Sequence, residues 1–414
     1  MTKGIRKLPG LSLPPEAREI IRRLEEAGEE CFLVGGAVRD ALLGKNPDDL
    51  DLAASSAPER TEALFGDCRL ILTGKKHGTV GIVMNRKLFE VTSFRRDGAY
   101  FDARHPESVI FTSSLEEDLK RRDFTVNAMA WREKDGLRDP FGGEEDLKKG
   151  LLRAVGDPQK RFGEDALRIL RLLRFSSALG FSAEEETGRA ARALHPALER
   201  VSGERIASEL QKLLAGKDAV RVVSSYREIL GPLLGEYRVP PAFTEDFPSN
   251  LALLFRGRSE DFPRVSERLR LSGKQREKTL LLLSELERDD PEETVSVIGQ
   301  RKILSRVGEE NARALERLRT SEGGESGEEA LRKALSSGIP FRLSELALNG
   351  SDLIKAGARG EEIGRMLSAL LTDVMEEKLE NDRETLLAAA GERIEKDEAD
   401  HSGYGTRQFH RFPV

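Results

Sequence analysis

The sequence predicts an α+β protein, with a small mixed α/β head followed by a long all-α remainder. Three observations carry that reading. Strand-type apolar runs are confined to about the first 140 of 414 residues. From residue 141 onward, apolar positions recur at helical spacing. Aromatic residues make up only 6% of the chain and charged residues 34%. Those proportions favour charged, helix-rich packing over an aromatic-rich β-sandwich. The length allows about two to four domains.

In chain order, Glu16–Gly28 reads as a helix and Cys31–Val34 as a short apolar strand. Leu50–Ala54 reads as a second strand, and Ser56–Phe65, with a serine near its start, as a helix. Leu70–Thr73 and Thr79–Met84 are apolar, β-branched-rich runs, and Leu88–Phe94 alternates apolar and polar residues. Asp97–Ser114 is polar, broken by Gly98 and Pro106, and reads as a long loop. Leu115–Trp131 reads as a helix. DPFGGEEDLKKG then supplies the proline and paired glycines of a turn or hinge. Beyond it, Glu164–Leu179, Arg205–Leu214 and Leu280–Leu286 are helical, with turn-rich breaks at Pro240–Asn250, Gly323–Gly327 and Ser336–Pro340. His401–Val414 lacks periodicity and is expected to be a flexible tail.

Composition excludes several classes. No apolar run approaches the roughly 18 residues of a membrane helix, and the N-terminal stretch has no apolar core of signal-peptide length. Cys31 and Cys68 cannot build a disulfide framework, so a reducing cytoplasm is expected. The net charge of −6 is not that of a basic nucleic-acid binder. A local basic face is still present. Residues 153–174 carry six basic side chains (Arg153, Lys160, Arg161, Arg168, Arg171, Arg174) against Asp157, Glu164 and Asp165. The five histidines are scattered without metal-ligand spacing.

Two motifs in the head carry chemistry. Val34-Gly35-Gly36-Ala37-Val38-Arg39-Asp40 ends a strand, permits close backbone approach through two glycines and can start a helix, the layout of a phosphate cradle. No GxxxxGK[ST] occurs, which argues against a P-loop NTPase. About 13 residues later comes Asp48-Asp49-Leu50-Asp51-Leu52. If Asp49 enters a strand, period-two alternation puts Asp49 and Asp51 on one face and the leucines on the other. Two carboxylates with no base between them suit hard divalent cations. A solvated acidic turn is the alternative.

The segments LVGGAVRDALLG…DDLDLA, HGTVGIVM…FEVTSFRRDG, DLKRRDFTVNAMA, DPFGGEEDL and RFGEDALRILRLLRF occur in one order. Together they resemble the bacterial class II tRNA nucleotidyltransferases, the CCA-adding enzymes, and their poly(A) polymerase relatives. The resemblance covers residues 30–215, and more weakly SELALNGSDLI farther on. It implies a polymerase-β-like nucleotidyltransferase head (1–140), then an elongated all-α neck (141–215), body (216–345) and tail (346–414). The implied reaction is attack of a tRNA 3′-OH on the α-phosphate of CTP or ATP, releasing pyrophosphate, with two Mg²⁺ ions about 3.5–4 Å apart.

The resemblance also implies roles. Asp49 and Asp51 match the metal ligands, with Glu90 either a third carboxylate or a solvent-facing strand residue. Gly35, Gly36 and Arg39 match the triphosphate-binding turn, and the other motifs favour that role for Arg39 over its alternative, a structural salt bridge to Asp40 or Asp48. Arg122 and Asp123 match a motif that contacts nucleotide phosphate and ribose. Asp139, Gly142 and Gly143 match a hinge. Asp165, Arg168, Arg171 and Arg174 recur every three residues, which on a helix makes a winding ridge. Asp165 and Arg168 match the reader of the incoming base, while Arg171 and Arg174 bind triphosphate or orient the readers. The logic is sound: cytosine and adenine both place an exocyclic amine beside a ring-nitrogen acceptor. A carboxylate and a guanidinium complement that edge, whereas uracil and guanine put a carbonyl where the carboxylate needs a donor.

Rival readings remain within reach of the same motifs. An A-adding or CC-adding specialist shares them, but CC-adding relatives lack a loop like DGAYFDARHP at residues 97–106. Poly(A) polymerases carry a basic C-terminal extension, whereas GERIEKDEAD is acidic. A catalytically silent RNA-binding protein is at odds with intact Asp49 and Asp51. Expected partners are the tRNA 3′ end, CTP and ATP, with no membrane and a cytoplasmic location.

Overall fold

The structure is a computed structural model that describes residues 8–9, 11–47, 49–97, 109–288 and 290–402. Its contacts divide the chain into two compact units. The first is Met1–Val239 with Asp261–Leu271, and the second is Pro240–Glu260 with Ser272–Val414.

The first unit begins with α1 (Pro15–Glu26), which starts on a proline and buries Ala17, Ile20 and Leu24 along one face. Next come β1 (Cys31–Val34), α2 (Gly36–Leu42), β2 (Asp51–Ala54) and α3 (Pro58–Leu64). The strands β3 (Arg69–Ile71), β4 (Thr79–Met84) and β5 (Lys87–Ser93) follow. Asn85 and Arg86 join β4 to β5 with φ of 50° and 65°, the left-handed pair a tight hairpin turn needs. A separate ribbon pairs β6 (Arg95–Asp97) with β7 (Val109–Phe111). Thus Val109–Phe111, which the sequence reads as loop, is a strand too short to show alternation. The rest of that expected loop, 98–108, lies outside the described residues.

The largest correction concerns Leu115–Trp131. Only α4 (Leu115–Lys120) is α-helical, capped by Ser114, whose side chain accepts from Glu117 N. The chain then turns through a 3₁₀ segment (Thr125–Asn127) into β8 (Ala130–Arg132), followed by β9 (Gly136–Arg138). The Asp123 carboxylate accepts from Phe124 N, a local bond that competes with helix continuation. β8 also supplies what β1 needs on its free edge, with Leu33 opposite Trp131 and Val34 opposite Ala130.

These strands form one seven-stranded sheet in the order β3-β4-β5-β2-β1-β8-β9. Only β2 and β5 run parallel; the other pairs are antiparallel. Both faces are covered. Leu33, Leu52 and Ile82 pack with α1 residues Ile20 and Leu24 on one side. Phe32, Val34 and Ala53 pack with Phe94 and Leu119 on the other. Double burial explains why β1 reads as an unbroken apolar run.

After β9, α5 (Gly143–Lys149) is capped by Asp139, which accepts from Gly143 N at 2.7 Å and Glu144 N at 2.9 Å. Two-residue strands β10 (Leu151–Leu152) and β11 (Ser182–Ala183) pair in parallel, a feature too short for the sequence to announce. Between and after them lie α6 (Pro158–Glu164), α7 (Leu167–Leu179), α8 (Glu185–Leu194), α9 (Gly203–Leu214), α10 (Ala219–Ser225) and α11 (Arg227–Leu234). The helix expected over Glu164–Leu179 is therefore broken at Asp165, which is extended (φ −146°, ψ 104°).

In the second unit the described elements are helical. They begin with α12 (Phe247–Phe255), after which α13 (Phe262–Arg268) returns to the first unit. Then come α14 (Gly273–Arg288), α15 (Pro291–Val295), α16 (Val297–Ser321), α17 (Glu328–Ser336), α18 (Gly350–Lys355), α19 (Glu361–Met375) and α20 (Arg383–Ser402). The last includes His401 and Ser402, which the sequence assigns to an aperiodic tail; 403–414 lie outside the described residues. Leu353, Leu370, Val374, Leu386 and Ala390 bind α18, α19 and α20 into one core. Among the described residues, no helix is long and apolar enough to cross a membrane.

Two glycine substitutions test the packing of the first unit. A Cβ at Gly143 would stand 2.2 Å from the backbone oxygen of Thr125, whereas one at Gly163 meets nothing within 4 Å. Gly143→Ala is expected to lose about 1–3 kcal/mol through overpacking. Gly163→Ala is expected to gain about 0.5–1 kcal/mol from helix propensity. Urea unfolding of the two variants checks the opposite signs.

Candidate active site

All eleven site residues expected from the sequence line one cleft of about 750 Å³ in the first unit: Gly35, Gly36, Arg39, Asp49, Asp51, Arg122, Asp123, Asp165, Arg168, Arg171 and Arg174. The cleft is bounded by the β1–α2 turn, the start of β2, the turn after α4, the N-terminal part of α7, and Arg205 on α9. Gly35 has φ 69° and ψ −131°, and a Cβ there would lie 2.8 Å from Arg122 Nη1. Only glycine lets the turn adopt this backbone with the guanidinium packed against it.

Asp51 opens β2 and is exposed to the cleft, while Leu52–Ala54 behind it are buried. Asp49, two residues earlier, is also exposed. Surrounding protein pushes the Asp51 pKa up, Arg122 draws it down, and the Asp49 charge pushes it up again. A carboxylate pair so crowded and mutually repelling is a donor set fit for a hard divalent cation. Glu90 faces Asp51 across the β2–β5 register but does not line the cleft. Among the described residues, no three acidic, histidine or cysteine side chains converge as a metal cluster. Asp48 lies outside the described residues.

The arginines are held by carboxylates, of which Asp118, Asp123 and Glu209 are buried. Arg39 makes two 2.9 Å bonds to Asp40, so the salt bridge that the sequence leaves open is formed, and its Nη1 donates to Asn127 Oδ1 at 2.7 Å. Asp118 is fully buried. It accepts from Arg121 at 2.8 and 3.0 Å, from Arg122 at 3.3 Å and from Arg95 N at 3.3 Å. Burial raises its pKa, but Arg121 and Arg122 outweigh that and hold it below the usual carboxylate range.

Arg122 and Asp123 are not the neighbours on an exposed helix that a plain charge cluster would make; Asp123 is buried. Its Oδ1 accepts from Phe124 N at 2.8 Å and Asn127 Nδ2 at 3.1 Å, and its Oδ2 accepts from Arg171 Nε at 2.7 Å. Against the upward push of burial, Arg171 and these donors bring the pKa down to about 2. Asp123 in turn raises the pKa of Arg171. Arg174 moves down, through burial first and Arg171 second, and is paired with Glu209 on α9 at 3.2 Å. Phe175 gathers three guanidiniums over its ring: Arg174 at 4.1 Å, Arg39 at 5.2 Å and Arg171 at 5.5 Å.

Asp165 sits in the α6–α7 break, off the α7 ridge of Arg168, Arg171 and Arg174. Its Oδ1 accepts from Leu167 N at 3.0 Å and its Oδ2 from Arg205 Nη2 at 2.9 Å. Arg168 donates to Glu164 at 2.8 Å, Arg161 O at 2.9 Å and Arg121 O at 3.0 Å. Sequence reasoning missed Asp118, Asn127, Phe175 and Arg205. Their neighbourhoods read as ordinary helix or core; the fold brings Asn127, Phe175 and Arg205 to the cleft lining and buries Asp118 against Arg121 and Arg122.

The chain is similar to known proteins. The family described as "Poly A polymerase head domain" matches residues 31–153, and a "tRNA nucleotidyltransferase domain 2" family matches residues 250–390. The CCA-adding enzyme of Limosilactobacillus fermentum is 37% identical over 92% of this chain and 98% of its own length. That of Geobacillus stearothermophilus is 36% identical over 92% and 98%. A solved structure of the Bacillus stearothermophilus CCA-adding enzyme in complex with CTP superposes with a TM-score of 0.81 at 35% identity, covering 94% of this chain and 100% of that one. The Thermotoga maritima CCA-adding enzyme complexed with tRNA, at 23% identity and a TM-score of 0.65, shares the fold over 92% of this chain and 96% of its own.

The depressed pKa of Asp123 makes a pH prediction. Its ionised form stabilises the fold above the unfolded value of 3.8, and that contribution is lost as pH falls towards about 2. Asp123→Asn is expected to cost about 2–4 kcal/mol at pH 7, since Arg171 loses its partner. The deficit should narrow by about 2 kcal/mol between pH 4.5 and pH 2. Urea melts at both pH values read this directly; a deficit independent of pH would show that the carboxylate is not held ionised.

Proposed function

The chain belongs to the CCA-adding enzymes, and on that footing we propose that it extends the 3′ end of tRNA by C, C and A, drawing on CTP and ATP without a nucleic-acid template. The observation that carries this reading is the single cleft. It gathers an acidic pair, an arginine cluster and the Asp165/Arg168 pair within one pocket.

In this reading the head (1–140) does the chemistry, the neck (141–215) reads the base, the body (216–345) holds tRNA, and the tail (346–414) completes the helical remainder. Asp49 and Asp51 are the residues to hold divalent ions, proposed as two Mg²⁺. When bound, these ions supply Lewis-acid activation of the 3′-OH and charge neutralisation at the leaving pyrophosphate. Gly35 and Gly36 let the triphosphate approach the backbone. Arg122, Arg171 and Arg174 offer it charge-assisted donors, with Arg39 behind them. Asp165 accepts from the exocyclic amine of cytosine or adenine, and Arg168 donates to the adjacent ring nitrogen. Both Cys31 and Cys68 are free thiols, in keeping with a cytoplasmic site of action.

The test is incorporation. With Mg²⁺ and labelled CTP or ATP, tRNA ending at the discriminator base should gain two C and then one A, and tRNA ending in CC should gain one A. Bulk adenylation of any RNA would mark a poly(A) polymerase. Activity on only one of the two primers would mark an A-adding or CC-adding specialist. Binding without incorporation would mark a silent RNA-binding protein.

Two sets of variants separate the roles within the cleft. Asp49→Ala and Asp51→Ala should each abolish CMP and AMP transfer alike while leaving tRNA affinity in gel-shift assays within a few-fold, since both steps share one pair of ligands. Near-normal turnover in either variant would remove that carboxylate from the metal site. Asp165→Ala should let UTP and GTP compete with CTP and ATP, with the preference falling about tenfold, the equivalent of one hydrogen bond of roughly 1–3 kcal/mol. An unchanged preference in mixed-nucleotide assays would exclude Asp165 from base reading.

A further inference from the structure

The cleft has a side that the roles proposed above leave unused. Its lining there includes Thr79 on β4 and Thr92 on β5. The two stand opposite one another in the β4–β5 register, and their hydroxyls lie 3.0 Å apart. One hydroxyl donates to the other, so the pair keeps one O–H hydrogen and its remaining lone pairs. Both residues are half-buried, and among the described residues neither hydroxyl has a further hydrogen-bond partner.

The sheet order decides what this side can meet. Neighbouring strands run β4-β5-β2-β1. The Gly35–Gly36 turn follows β1, Asp51 opens β2, and the threonines lie on the two strands beyond it. Asp51 therefore stands between the glycine turn and the threonine pair. Displacement at an α-phosphate is in line, so the attacking hydroxyl approaches from the side opposite the leaving pyrophosphate. With the pyrophosphate held at the glycine turn, the attacking sugar falls on the threonine side. We propose that Thr79 and Thr92 form a seat for the terminal ribose of the RNA primer, with their remaining hydrogen and lone pairs meeting its 2′-OH. This rests on the primer-extension reading above. The chemistry matches, since a 2′-OH both donates and accepts, and it is the group by which a protein tells RNA from DNA. The seat is also ordered in advance. The 3₁₀ turn Lys75–His77 that leads into Thr79 is tied to α3 by the Lys75–Glu62 pair and to β6 by Arg95, which donates to His77 O. Thr79 N donates to Gly74 O at 3.1 Å. Hydroxyls fixed in this way lose little further freedom on binding.

The experiment uses the full-length protein with Mg²⁺ and CTP or ATP. It compares tRNA primers ending in a ribonucleotide with the same primers ending in the 2′-deoxy analogue. The wild type is expected to extend the ribo-terminated primer about fivefold more efficiently in kcat/KM, the worth of about one hydrogen bond. The double variant Thr79→Val/Thr92→Val keeps the β-branched shape and removes both hydroxyls. It should bring that ratio close to one and raise KM for the ribo-terminated primer, while KM for CTP and ATP stays near wild type. Thr79→Ser/Thr92→Ser, which keeps both hydroxyls, should preserve the wild-type ratio. If the valine pair does not fold, the two single valine variants take its place, and at least one of them must lower the ratio. An unchanged ratio in the hydroxyl-free protein overturns the proposal, and so does a ratio lost in the serine variant. Assays with 2′-deoxy-CTP and 2′-deoxy-ATP run alongside. If the valine variant loses discrimination against these while primer discrimination stays intact, the pair serves the incoming nucleotide and the proposal fails. If the wild type extends neither primer, the proposed function itself fails; extension with no 2′-OH dependence removes the seat alone.

Discussion

The cleft depends on one buried charge. Asp123 follows α4 and is nearly inaccessible to water, and an unpaired carboxylate there would cost several kcal/mol. Its neutralisation organises the surroundings. Phe124 N turns the chain out of the helix, Asn127 Nδ2 fixes the 3₁₀ turn, and Arg171 brings in α7. Asn127 spends its carbonyl oxygen on Arg39, whose other edge is clamped by Asp40. A continuous polar chain thus runs from α2 through the turn to α7. Two backbone tethers run beside it, from Arg161 to Lys120 O at 2.9 Å and from Arg168 to Arg121 O at 3.0 Å. Buried polar networks of this kind are favourable only when each member is satisfied, and the shared donors make the geometry of one side chain the constraint on the next.

The same network sets the electrostatics. Packing Arg39, Arg122, Arg171 and Arg174 around one cleft is repulsive, and the lowered pKa of Arg174 records that crowding together with its burial. Asp40 and Asp123 in the cleft lining, with Asp118 and Glu209 behind it, offset the repulsion, and the Phe175 ring offers a face to three of the guanidiniums. The arginines are thereby ordered before any anion arrives. For a proposed triphosphate ligand, the rotamer entropy of long cationic side chains is already spent in folding, which is the basis of pre-organised binding.

Much of this was legible in the sequence, for physical reasons. β1 shows as four consecutive buried residues, and the acidic pair at the start of β2 shows because carboxylates seldom flank a buried strand without a task. What the sequence hid has physical reasons as well. FTVNAMAW carries helix-compatible alanine and methionine, and its strand character comes from the vacant edge of β1, a partner about 100 residues away. Propensity yields to tertiary pairing there. Asn127 and Arg205 look like ordinary turn or helix residues, because their roles arise from neighbours 88 and 40 positions away, and Asp118 reads as a plain i, i+3/i+4 helix pair because its partners Arg121 and Arg122 are local. The three-residue ribbon strands β6 and β7 are too short for periodicity to speak.

The break between α6 and α7 is the feature that the sequence pattern most misleads on, and it explains why two adjacent carboxylates precede the arginine ridge. Were the helix continuous, Asp165 and Arg168 at i and i+3 would be neighbours on its surface and could pair with each other. A carboxylate and a guanidinium paired with one another turn their facing edges inward, away from a third group. In the structure they are separated. Arg168 takes Glu164 as its i−4 partner at 2.8 Å, and Asp165, in extended backbone, turns to Leu167 N and Arg205 instead. A carboxylate has about four acceptor sites and a guanidinium five donors, so these partners hold both groups without exhausting either. Glu164 thus keeps Arg168 ordered so that Asp165 need not, and an edge presenting one donor and one acceptor can be met by two side chains that do not meet each other.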